Sequence, residues 1–117
     1  MRKFLIPCLL LNLSACDFLP AQSVYLETCE EISKNRLKHS SSFEKESSRE
    51  SNGGTGYVNA EIAFKAWNDY KVPIPYNISC LFKQTENKNA PLLVSITWNG
   101  RPIRSHELEN IQEALRK

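Results

Sequence analysis

Apolar side chains alternate with other residues along much of this 117-residue chain, and that alternation predicts β-strands. The segment YVNAEIAFKAW, residues 57–67, has the longest alternation, and PYNISCLFK, residues 75–83, repeats it. A third apolar segment, LLVSITW at residues 92–98, ends at the turn pair Asn99-Gly100. Together these segments predict an antiparallel meander of three or more strands.

Apolar residues at helical spacing flank the meander on both sides. The first helix is expected to begin with Ser23 as N-cap and to end near Leu37. The second is expected to begin with Ser105 as N-cap, with acidic residues in its first turn and basic residues in its last, as the helix dipole favours. Residues 23–117 therefore read as one α+β domain with an N-terminal helix, the meander and a C-terminal helix.

Residues 39–56, HSSSFEKESSRESNGGTG, interrupt this apolar patterning. The segment is rich in serine, glycine and charge, and Phe43 is its one apolar residue. Such a composition favours a surface loop. A short edge strand around Phe43 and partial disorder remain as alternatives.

The connection between the first two strands concentrates side chains that could contact a partner. Pro73 and Pro75 cannot donate to a central ladder, so an irregular connection is expected. Tyrosine and tryptophan are favoured at interfaces because they combine a large rigid area with a polar end. The candidate contact residues are Trp67, Tyr70, Val72, Ile74 and Tyr76. The alternative is that these side chains cap the end of the core.

The first fifteen residues have the pattern of a targeting segment. Arg2 and Lys3 precede an apolar stretch, residues 4–13, that is too short to span a bilayer and fits a secretory signal. Ordinary small-x-small cleavage fits poorly because the bulky Leu13 occupies the earlier position. The signal therefore needs a different processing site.

The four residues Leu13-Ser14-Ala15-Cys16 resemble the lipobox of bacterial lipoproteins. The resemblance implies cleavage after Ala15, lipidation of the Cys16 sulfur, and acylation of the new amino group, which together give a firm membrane anchor. The alternative is a Cys16 that packs in a core. Residues 1–15 would then be the signal peptide and residues 16–22 a lipidated tether.

Asp17, directly after the lipidated position, resembles the residue that retains enterobacteria-like lipoproteins at the inner membrane. That resemblance implies the periplasmic face of the inner membrane, with an ordinary tether residue as the alternative. Only about six residues separate Cys16 from the first helix, so the tether spans at most about 20 Å. A partner would therefore be a membrane-proximal envelope protein.

Charge and cysteine content change once the signal is removed. Arg2 and Lys3 are lost with it, so the 13 acidic residues are balanced by an equal number of basic ones, and nothing favours nucleic-acid binding. Cys8 is lost with the signal and Cys16 carries the lipid, so Cys29 and Cys80 are the remaining pair, and an oxidising compartment favours a disulfide between them.

No motif in the chain indicates catalysis, a metal or a cofactor. His39 and His106 lack zinc-ligand spacing relative to the two cysteines. His106, Glu107 and Glu109 could do acid–base chemistry, but acidic residues are expected in the first turn of a helix. The serines at 40–42, 47 and 48 lack a nucleophile-elbow pattern.

The domain itself adds a second resemblance. The segments RLKHSSSFEK and FKAWNDYKVPIPYNISCLF are similar to small exported domains without an assigned activity, which implies a fold and no more. The sequence therefore predicts a non-catalytic, lipid-anchored binding or accessory protein of the cell envelope. The alternative is an envelope hydrolase or an inhibitor of one.

Overall fold

The structure, a computed structural model, describes residues 23–85 and 91–116. The elements in chain order are α1 (Val24–Arg36), a 3₁₀ turn (Ser40–Ser42), β1 (Glu44–Gly54), β2 (Tyr57–Trp67), β3 (Pro73–Lys83), β4 (Leu92–Trp98), β5 (Arg101–Pro102) and α2 (Ser105–Leu115). The predicted α+β class, with a helix, an antiparallel meander and a second helix, is confirmed. The signal, Cys16, Asp17 and the tether lie outside the described residues.

The five strands form one antiparallel sheet whose spatial order is the chain order, β1-β2-β3-β4-β5. Both helices pack on one face of the sheet. The hydrophobic core lies on that face and includes alternate residues of β2 and β3. The buried side chains of these two strands are Ala60, Ile62, Phe64, Ala66, Ile78, Cys80 and Phe82. This arrangement is typical of antiparallel sheets with one packed and one solvated face.

Helix α1 begins as its sequence predicts. The Ser23 hydroxyl oxygen accepts a hydrogen bond from the backbone N–H of Leu26 at 3.1 Å, and Leu37 follows the last helical residue as C-cap. Helix α2 differs by one residue, since Ser105 is its first helical residue and Arg104 is the N-cap, without a side-chain cap bond. Serine is therefore not the capping group there.

Strand β1 corrects the prediction of a loop over residues 39–56. Residues 44–54 pair with β2 along almost its whole length, with irregularities at Lys45/Ser47 and Asn52/Gly54. All eleven residues of β1 are exposed, so burial imposes no alternation on them. The ladder and cross-strand ion pairs such as Arg49–Glu61 at 2.8 Å hold the strand instead.

The pairing of β2 with β3 runs without interruption from Tyr57↔Lys83 to Trp67↔Pro73. The two prolines fit because β4 pairs with β3 only from Ile78 to Lys83, which leaves the start of β3 as an edge. A proline whose missing N–H faces an open edge removes no ladder bond. The β2–β3 ladder therefore continues to Trp67↔Pro73, past the part of β3 that pairs with β4.

A disulfide joins Cys29 of α1 to Cys80 of β3 at the centre of the core, with the Cα atoms 5.9 Å apart. Both cysteines are fully buried. The predicted pairing is confirmed. Closing a loop of this length restricts the unfolded chain by roughly 4 kcal/mol on the entropic model.

Candidate functional site

The connection between β2 and β3, which we call the hairpin tip (residues 67–73), has a closely hydrogen-bonded backbone. Asn68 N–H donates to the Val72 carbonyl, and Lys71 N–H donates to the Asn68 carbonyl, each at 3.0 Å. The Asn68 side-chain oxygen accepts from the N–H groups of Tyr70 (2.8 Å) and Val72 (3.1 Å). Lys71 adopts a left-handed conformation, with φ of 60°. Asparagine side chains commonly organise turns in this way.

Neighbouring segments fasten the hairpin tip to the domain. The Trp67 N–H donates to the hydroxyl oxygen of Ser42 in the 3₁₀ turn at 2.8 Å, and that hydroxyl donates to the His39 carbonyl at 2.6 Å. Lys38 pairs with Asp69 at 3.2 Å, but both groups are exposed, so this ion pair contributes at most about 1 kcal/mol. The tip is thus supported on one side by the chain that follows α1.

The structure divides the five predicted contact residues into two groups. Tyr70 is 86% exposed, and Trp67 and Val72 are also exposed. Ile74 and Tyr76 are half-buried on the opposite face of the strand. Trp67 pairs with Pro73, so its side chain lies on the face of the sheet opposite to Ile74 and Tyr76, and the five residues do not form one surface.

Tyr76 belongs to the end of the core. Its ring is stacked on Phe64, with centroids 5.3 Å apart, and lies 5.5 Å from the ring of Trp98. The Phe43 ring also packs on Phe64, with centroids 4.6 Å apart. The reading in which these aromatics cap the core therefore holds for Tyr76. The exposed contact candidates are Trp67, Tyr70 and Val72.

A groove of about 520 Å³ separates the two helices, with Ile32 and Ile111 among its apolar lining residues. Arg36 and Glu107 meet there at 2.6 Å, and the Arg36 guanidinium also lies 4.8 Å from the centre of the Trp98 ring. The hydrogen bond from Arg36, followed by its positive charge, lowers the pKa of Glu107 from its usual value. The charges of Arg36 and Glu107 thus neutralise each other, while Glu31 also lines the groove.

The acid–base candidates do not converge in the structure. His106 and Glu109 are exposed on α2, and the groove is lined by Glu107 without His106. A carboxylate held ionised by a guanidinium is a weak general base at neutral pH. Across residues 23–85 and 91–116, no group of three or more His, Cys, Asp or Glu side chains is placed to hold a metal ion.

Two further features bear on the setting of the site. Among the described residues, neither helix has the length and apolar character needed to cross a membrane. The sequence reasoning missed the turn formed by Asn68, although an asparagine next to an aspartate is a recognisable turn signal. It also missed the Arg36–Glu107 contact, which joins residues 71 positions apart and has no local signal.

Comparison with protein-family models, with curated proteins and with solved structures finds no match for this chain.

Proposed function

We propose that this protein is a lipid-anchored, non-catalytic binding or accessory protein of the bacterial cell envelope that contacts a partner through the hairpin tip. The lipobox-like Leu13-Ser14-Ala15-Cys16 supports the anchor. The Cys29–Cys80 disulfide supports an exported location, because disulfides form and persist in oxidising compartments.

The observation that carries the proposal is a large, exposed aromatic side chain on a preorganised turn. Tyr70 is 86% exposed, and the backbone N–H groups of Tyr70 and Val72 are both held by Asn68. A turn that is already ordered loses little entropy when it binds. Tyrosine and tryptophan are also the residues that most often dominate binding energy at interfaces.

The setting of the hairpin tip supports a protein partner. The side chains of Trp67, Tyr70 and Val72 are exposed at the end of the β2–β3 ladder, past the part of β3 that pairs with β4. Exposed aromatic and apolar side chains on an ordered turn fit a largely apolar surface on another protein. The proposed partner is an envelope protein near the membrane, on the periplasmic face of the inner membrane if Asp17 directs retention there.

The tip is tested by capture of partners with the intact lipoprotein after chemical cross-linking in membranes. The double variant Trp67→Ala, Tyr70→Ala should lose the captured partner, whereas Tyr57→Ala, an aromatic at the other end of the same strand, should keep it. Thermal unfolding of each purified variant checks that the fold survives. Equal capture by the folded double variant would exclude the tip as the contact surface.

The anchor is tested separately with Cys16→Ser. The intact mass of the native protein should show cleavage after Ala15 and the added lipid, and the variant should show neither. A processed, membrane-bound Cys16→Ser protein without lipid would contradict the anchor.

The alternative that the protein inhibits an envelope hydrolase has one favourable observation. An ordered turn that exposes Tyr70 could enter the cleft of an enzyme, because its hydrogen bonds would resist distortion. An assay of the captured partner for hydrolase activity, with and without added domain, distinguishes the two. Catalysis by the chain itself has less support, since His106 lies outside the groove that contains Glu107.

A further inference from the structure

The described chain begins at the end of the sheet opposite the hairpin tip. Ser23 donates a hydrogen bond to Glu50 near the end of β1, and the Tyr25 ring lies 5.4 Å from that of Phe82 near the end of β3. Strand β3 has eleven residues, so about 35 Å separates this end from the tip. We call it the entry end.

Exposed aliphatic side chains meet at the entry end. Leu92, at the start of β4, is 45% exposed, and Leu115, at the end of α2, is 38% exposed. Both line a concavity of about 460 Å³ together with Pro91. The Gln112 amide donates to the Leu93 carbonyl at 2.8 Å, which fixes the last turn of α2 against β4.

The concavity adjoins the start of the chain. Thr85 lines it and also lines a second depression formed by Val24 and Tyr25. Arg116 stands at the rim, and Lys83, opposite Leu92 in the ladder, is exposed. Apolar side chains flanked by basic groups suit the interface of an anionic bilayer.

We propose that the entry end, through Leu92 and Leu115 with Arg116 at its rim, rests on the phospholipid bilayer and directs the hairpin tip away from it. This inference depends on the proposed lipid anchor. Six residues, 17–22, separate Cys16 from Ser23 and can span at most about 20 Å. A lipidated Cys16 must therefore hold the entry end closer to the membrane than the tip.

The orientation gives the two ends of the sheet different tasks. The aliphatic entry end contacts the bilayer interface. The tip lies about 35 Å farther from the bilayer, where a partner can reach Tyr70. The partner then need not insert between the domain and the lipid surface. It is an envelope protein whose binding surface lies one domain length from the bilayer.

The test places a photoreactive benzophenone amino acid at Leu92, Leu115 or, as the matched control, Tyr70 of the full lipoprotein. Each protein is reconstituted into vesicles of phosphatidylethanolamine and phosphatidylglycerol, irradiated and analysed by mass spectrometry. Phospholipid adducts should be several-fold more abundant from positions 92 and 115 than from position 70. All three positions are exposed, so the probe should not prevent folding.

Two outcomes would overturn the orientation. One is an equal or larger lipid yield from position 70, and the other is cross-linking of position 115 to a second copy of the chain in place of lipid. The intact mass separates this failure from failure of the anchor. A lipidated protein with the wrong adduct pattern retains the anchor and loses the orientation, whereas a protein without lipid on Cys16 loses both.

Discussion

Strands β1 and β3 flank β2 on its two sides, have eleven residues each, and are stabilised by different interactions. In β3, alternate residues from Ile78 to Phe82 are fully buried under the helices. In β1 every residue is exposed, and glycine, serine, asparagine and charged residues make up the whole strand. One sheet thus contains a strand held by its core and a strand held by its neighbour.

The difference shows that a ladder can impose strand structure on a sequence without apolar side chains. Each backbone hydrogen bond contributes about 1 kcal/mol net, and an exposed ion pair such as Arg49–Glu61 contributes at most about that amount. These gains require β2 to be in place first. Strand β1 therefore depends on the hairpin of β2 and β3, and the hairpin does not depend on β1.

The largest expected loss of stability comes from a substitution in β3, the strand that is buried under the helices. Phe82→Ala should lower the free energy of unfolding by about 3 to 5 kcal/mol, since it leaves a cavity beside Tyr25. Ser48→Ala in β1 should change it by less than about 0.5 kcal/mol. Urea unfolding of both variants measures the difference. Similar losses would show that β1 contributes to the core in a way its exposure does not reveal.

Removal of the disulfide should be nearly as costly. Cys29→Ala with Cys80→Ala should lower stability by roughly 4 kcal/mol, because the unfolded chain regains the freedom of the closed loop. Thermal unfolding of the native protein with and without reductant provides the same comparison without mutation. A melting temperature insensitive to reductant would contradict the prediction.

Hydrogen exchange should separate the two strands directly. The amides of β1 that bond to β2 should exchange through local opening at a free energy a few kcal/mol below that of global unfolding. Those between β2 and β3 should exchange only on global unfolding. Equal protection on both sides of β2 would mean that β1 unfolds together with the core.

The smallest effect concerns the helices and depends on pH. Arg36 lowers the pKa of Glu107, so their interaction stabilises the fold above the ordinary glutamate pKa of about 4.3 and is lost as pH falls below it. Glu107→Gln should flatten this part of the stability profile and leave stability near pH 7 slightly reduced. The free energy of unfolding measured between pH 3 and pH 7 would show the change. If the variant lost stability below about pH 4.3 as steeply as the native protein, the predicted contribution of Glu107 would be excluded.

Much of the fold could be predicted from the sequence because buried positions recur at regular intervals along a strand or a helix. The alternation of residues 57–67 and 75–83 predicted β2 and most of β3, and Ser23 marked the start of α1. The disulfide was predicted by counting the cysteines that remain once those in the predicted signal and the lipobox-like site are set aside. Strand β1 was not predicted because pairing with β2 determines its conformation. The residues of β1 itself show no alternation that would indicate a strand.

The candidate site was predicted less completely. Trp67, Tyr70 and Val72 are exposed as a contact surface requires, but Tyr76 shares its strand face with Cys80 and packs on Phe64. Strand parity alone would have separated Tyr76 from Trp67, since the two occupy opposite faces. The Asn68 turn and the apolar entry end depend on three-dimensional proximity, which no local pattern displays.

The strand order has a consequence for the time course of folding. Every strand pairs only with its neighbours in sequence, so a chain synthesised from its N-terminus can add each strand to the one before it. Helix α1 is the exception, because its sulfur partner in β3 lies 51 residues downstream. Until Cys80 has emerged, Cys29 has no native disulfide partner. Under the proposed anchor, the lipid on the Cys16 sulfur would keep that cysteine from forming a disulfide with Cys29 in the meantime.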